Sequence, residues 1–189
     1  MHRTAARSLA LGALALVVGR PAASQGSGIP ASASRPPTSP PVALNILWSG
    51  PTLTAADRER LHATILRADA LARENKLGEA SRLYWSVVSE QHAAEDYPVE
   101  ALRRLAFMYF SAGDDYSAAS VLTELAEVAT NFGDPATRLQ SLFDAALLYR
   151  ELARTDRMLE CVRQIRPLLK SAAIPEAARL EISNRIMVR

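Results

Sequence analysis

From Thr54 onward, large apolar side chains recur every third or fourth residue, and no stretch sustains an alternation of period two. That spacing returns residues to one face of a 3.6-residue helix, so it predicts amphipathic helices and no sheet. Local punctuation divides the pattern. Thr54 is a good N-cap, and Asp57 three residues later favours the positive end of a helix. Pro98 fits a first helical turn. Gly133-Asp134-Pro135 reads as a left-handed stop, a cap and a first-turn proline in succession. Thr155 and Ile174-Pro175 mark two further starts. The expected helices run over 54–74, 77–93, 98–112, 115–131, 135–153, 156–171 and 175–187. Joined by short turns, they form an all-α stack of antiparallel hairpins.

The chain is also similar to itself. With unit starts at 61, 99 and 139, a small residue or a large apolar one occupies the fourth, eighth and eleventh places of each first helix. These are Thr64, Ala68 and Leu71; Leu102, Ala106 and Tyr109; Leu142, Ala146 and Tyr149. The second helices align as Ala80, Tyr84 and Val87; Ala118, Leu122 and Leu125; Met158, Val162 and Ile165. A small residue at a helix crossing lets two backbones approach, and larger neighbours fill the groove beside it. The last segment, 175–187, carries Ala178, Ile182 and Ile186 on one face and is expected to close the open end of the stack.

These places carry a resemblance to the tetratricopeptide repeat family, whose helix–turn–helix unit has small residues at its eighth and twentieth places and a glycine in its turn. The stretch 106–122 matches best, with Ala106, Tyr109, Gly113, Ala118 and Leu122 in register. In 70–84 Asn75 stands where the turn glycine belongs. In the third unit Ala153 takes that place and Met158 replaces the small residue. The units are spaced by 38 and 40 residues, longer than the family's repeat, and lack its final proline. The resemblance covers about residues 61–170 and implies a helical-hairpin solenoid of about three units plus a C-terminal capping helix. A different all-helical array is the alternative.

The residues before the helical part differ in kind. Met1–Arg7 is short and basic, and residues 8–18 (SLALGALALVV) form an uncharged apolar run too short to cross a bilayer comfortably. Ala22-Ala23-Ser24 then offers small residues at a cleavage site, so residues 1–24 read as a signal peptide cut after Ser24. A retained N-terminal anchor is the alternative. Residues 25–43 are rich in Pro, Ser, Ala and Gly and read as a solvated tether. The helical domain is set at 44–189, with Trp48 in an apolar lead-in. The expected product is exported, periplasmic or secreted, without stable membrane insertion.

Composition narrows the chemistry. The formal charge of +2 comes from the first segment: removing residues 1–24, which hold Arg3, Arg7 and Arg20 and no acid, leaves 19 basic against 20 acidic residues. A near-neutral remainder argues against nucleic acid as a partner. His62 and His92 lie thirty residues apart without a second ligand at helical spacing, and the oxygen-ligand run of a calcium loop is missing, so no metal is expected. Cys161, the single cysteine, sits between apolar helix positions and reads as a buried thiol. No phosphate-binding glycine loop or nucleophile elbow is present. No catalytic residue and no cofactor are assigned.

The tetratricopeptide resemblance implies an inner groove lined by the second, fifth, ninth, twelfth and thirteenth residues of each first helix. That places His62, Ile65, Asp69, Ala72 and Arg73 there, then Glu100, Arg103, Phe107, Phe110 and Ser111, then Gln140, Phe143, Leu147, Arg150 and Glu151. The expected binding set is Phe107, Phe110, Phe143, Leu147, Arg73, Arg103 and Arg150, aromatic anchors flanked by guanidinium groups. Packing of those rings beneath the lead-in or the last helix is the alternative. The resulting expectation is a non-enzymatic module that binds a peptide or protein segment in the cell envelope. Self-association through the solenoid ends is the rival.

Overall fold

The computed structural model describes residues 52–187, and among these it holds seven helices and no strand. They are α1 (Ala55–Arg73), α2 (Leu77–Ala93), α3 (Val99–Ser111), α4 (Asp115–Asn131), α5 (Pro135–Glu151), α6 (Thr155–Leu168) and α7 (Glu176–Met187). The signal-peptide, tether and lead-in segments fall on residues outside this range. Pairs α1–α2, α3–α4 and α5–α6 pack as hairpins, and α4 packs on α5 more extensively than any of these pairs. No described helix is long and apolar enough to cross a membrane.

Each helix begins and ends for a local reason. Thr54 Oγ1 accepts from the Asp57 N–H at 3.1 Å while Asp57 Oδ2 accepts from the Thr54 N–H at 3.0 Å, a reciprocal capping box. The Thr54 hydrogen bonds hold the Asp57 carboxyl below its ordinary range. Asp114 and Asp134 cap α4 and α5 by accepting from the N–H groups of Ser117 and Thr137, each at 3.0 Å. The five turns between α1 and α6 share one geometry. A residue with positive φ follows each helix: Asn75, Glu95, Gly113, Gly133 and Ala153. The next N–H then reaches back five residues, Lys76 to the Leu71 carbonyl at 2.9 Å and Arg154 to that of Tyr149 at 2.8 Å. This is the Schellman closure, which satisfies helix-end carbonyls without further side chains. Asn75 and Ala153 thus hold the glycine place that the unit alignment gives them. The left-handed turn at Ala153 stops α5 at Glu151, two residues before its expected end.

The crossings are built on alanine. Ala68, Ala80, Ala101, Ala118, Ala119, Ala129 and Ala145 are wholly buried, and Tyr84, Leu102, Leu125, Leu142 and Ile165 fill the spaces beside them. Two apolar clusters result, one over α1–α4 and one over α4–α7, with Tyr109 and Leu122 packed against both. Helix α5 is buried over most of its circumference because α4, α6 and α7 all pack against it. Ile174 in the turn before α7 and Ile182 on α7, both buried, close the second cluster, with Ala178 and Ile186 beside them. Cys161 is buried in the same cluster, and burial pushes its thiol above the ordinary range.

Candidate functional site

The first helices α1, α3 and α5 carry every residue of the expected binding set, but the structure divides that set by depth. Phe107 is 57% exposed, an unusual position for so large a ring. Arg103, one turn before it on the same face of α3, is also exposed, and its Nη2 donates to Thr137 Oγ1 at 2.9 Å, tying α3 to α5. Among the described residues no carboxylate lies within ion-pair distance of Arg103, although its charge acts on Asp134 and Asp144 across α5. Phe110 and Leu147 are half-buried against the second cluster. Arg150 is exposed beside Glu151, at 3.3 Å. Arg73 is exposed at the far end of α1, where its Nε donates to the Asp69 carbonyl at 3.2 Å.

Phe143 departs from the expectation. It is 2% exposed, lies within the second cluster, and is covered by α7, whose Arg185 guanidinium stands 4.9 Å from the ring centroid. Ile65, at the same place in the first unit, is likewise buried, 4% exposed. The reason is geometric: the fifth residue of a first helix points toward the following first helix, so an apolar side chain there is packed between the two. Arg103 at that place stays exposed because its guanidinium reaches past the contact to Thr137. Phe143 is therefore a packing residue and not a lining residue.

Two carboxyls organise this face. Asp69 accepts from the Tyr84 hydroxyl and from Arg104, which also pairs with Glu100 at 2.8 Å, so three helices meet on one acid. Burial and the neighbouring Asp69 push the Tyr84 phenol well above its ordinary range. Asp144 is half-buried on α5, next to Phe143, and both its oxygens accept from Gln140 at 3.0 Å. Burial raises its carboxyl above the ordinary range; the Gln140 bond, Arg185 and Arg103 oppose that, and Glu181 adds to it. Helices α3, α5 and α7 thus place Arg103, Asp144 and Arg185 together. Asp144 has no place in the expected groove set, although an acid inside the apolar run Leu142–Ala146 was the signal available.

No cluster of three or more metal-ligating side chains occurs among the described residues. His62 and His92 are both exposed, on different helices. Comparison with known proteins found no matching family model, no matching curated protein and no matching solved structure.

Proposed function

We propose that the chain is an exported, non-enzymatic interaction module of the tetratricopeptide type that binds a peptide segment of a partner protein in the periplasm or outside the cell. Export rests on residues 1–24, with their basic start, apolar run and small-residue cleavage site. The observation that carries the binding reading is Phe107, 57% exposed and one turn from Arg103. Half-buried Phe110 and Leu147 extend the apolar surface around it. An open ring supplies apolar area and the Arg103 guanidinium, which has no ion pair among the described residues, orients a carboxylate, so the ligand is an apolar-anchored, acidic peptide. A scaffold already ordered by its turns and alanine crossings loses little freedom on binding.

The test is selection of peptides from a random phage-displayed library on the chain from Gln25 onward, with Phe107→Ala as the control. Enriched peptides are expected to carry an aromatic or aliphatic anchor beside Asp or Glu and to bind Phe107→Ala at least tenfold more weakly. Retained binding by Phe107→Ala, or an absence of enrichment, would overturn the reading. Phe107→Ala is a cleaner probe than Phe110→Ala because Phe110 is part of the packing.

A further inference from the structure

Helix α1 has no second helix packed before it among the described residues, whereas α3 packs on α2 and α5 packs on α4. The unit alignment shows what that leaves open. At their third, seventh and tenth places α3 holds Ala101, Leu105 and Met108, and α5 holds Ser141, Ala145 and Leu148, all buried. The same places of α1 are Ala63 and Arg67, both exposed, and Ala70, half-buried. Leu66, between them, is 49% exposed. On α2, Leu83 is half-buried at the place where Val121 of α4 and Cys161 of α6 are buried. Helices α1 and α2 are antiparallel and Arg60 pairs with Glu90, so Leu66, six residues on, is level with Leu83, seven residues back. The first end of the stack therefore presents a patch of Ala63, Leu66, Ala70 and Leu83, with Arg67 among them. An open solenoid end of this kind needs a cover.

We propose that Ile46, Leu47 and Trp48, which precede α1 in the chain and lie outside the described residues, cover this patch and cap the first end of the stack. The chain arrives at this end, since Leu53 is half-buried against the first cluster. Ser49-Gly50-Pro51 has the residues of a turn, and its proline disfavours helical backbone at Gly50. The segment before it therefore reverses and does not prolong α1. Its reach is sufficient. Leu66 lies about 16 Å along α1 from Ala55, and the chain from Leu53 back to Trp48 spans about 17 Å when extended. Trp48 then rests on Ala63 and Leu66 with the Arg67 guanidinium against its indole, and Ile46 reaches on toward Ala70. The occupant is this segment and not a second copy because a stable dimer buries about 800 Å² per partner, far more than so few side chains offer. A segment joined to α1 by a short turn meets the patch at an effective concentration of about millimolar without any partner. The face of α3 and α5 around Phe107 stays open beneath this cap.

Trp48 and Trp85 are the two tryptophans of the chain, so Trp85→Phe leaves Trp48 as the sole reporter. In the chain from Gln25 onward carrying that change, Trp48 is expected to emit at shorter wavelength than free N-acetyltryptophanamide and to be quenched by acrylamide at least threefold more weakly. Adding Leu66→Asp is expected to return both readings close to those of the free amide. Adding Leu180→Asp instead, at a 53% exposed position on α7, is expected to change neither. Quenching of Trp48 as fast as the free amide overturns the proposal, as does protection that survives Leu66→Asp or is lost equally with Leu180→Asp. Protection that grows with protein concentration overturns it in favour of a second copy. Should Trp85→Phe fold poorly, urea midpoints of Trp48→Ala, Leu66→Ala and the double variant decide with Trp85 in place. The double variant is expected to shift the midpoint no further than the more damaging single change, and a shift equal to the sum of the two overturns the proposal.

Discussion

Replacing Phe143 and Phe107 separately by alanine measures the depth assigned to each. Phe143 is 2% exposed beneath α7, with Arg185 over its ring, so its removal loses the transfer energy of the ring and leaves a cavity. Substitutions of this kind cost about 3–5 kcal/mol. Phe107 is 57% exposed, so less than half of its surface leaves water on folding. A buried Phe covers about 200 Å²; at about 25 cal/mol per Å² the packed part of Phe107 contributes about 2 kcal/mol. Alanine recovers about 0.5 kcal/mol of that through its helix propensity. The expected difference between the two variants is therefore about 2–3 kcal/mol. In a domain of this size 1 kcal/mol moves Tm by about 3 °C. Phe143→Ala should thus melt about 10 °C below wild type and Phe107→Ala within about 5 °C of it. Thermal melts followed at 222 nm, with urea titrations to check for an unchanged slope, read both. Equal losses for the two variants would refute the assignment of Phe143 to the core and Phe107 to the surface.

Three further outcomes are expected. Ala153→Gly and Glu95→Gly each relieve a left-handed residue and should stabilise by about 1 kcal/mol, whereas Gly113→Ala, whose added methyl meets nothing, should cost about as much through φ alone; melting temperatures decide. Asp69→Ala leaves the Tyr84 hydroxyl and Arg104 without their shared acceptor and should cost about 2–3 kcal/mol by urea titration, more than Tyr84→Phe, which removes one bond. Asp144 binds its proton more tightly folded than unfolded, so its contribution is fully present below the unfolded carboxylate range and is lost as pH rises through the folded one. Asp144→Asn should therefore raise Tm near pH 7 relative to wild type, with the gap closing near pH 3.

Helix starts were legible in the sequence because they are local. Thr54 and Asp57, or Gly133-Asp134-Pro135, act within one turn, and self-alignment placed Asn75 and Ala153 at glycine positions without a glycine. Burial at the fifth place of each first helix was not legible. Ile65, Phe143 and Arg103 share that register, yet two are packed and one is open, because the outcome depends on which later helix lies across each. Phe143 needs α7, whose Arg185 is 42 residues away, and no local spacing reports that. For Asp144 the local signal, an acid inside an apolar run, marks the position but not its partners. Its neighbours Arg103 and Arg185 come from helices on either side of α5 in the chain.

The central claim is that the face of α3 and α5 around Phe107 receives a peptide. Amide hydrogen exchange with and without a library-selected peptide tests it most directly. Slowed exchange confined to α3 around residues 103–111 and the facing part of α5 is the expected result. Protection confined to α4 and α6, or none at saturating peptide, would contradict it.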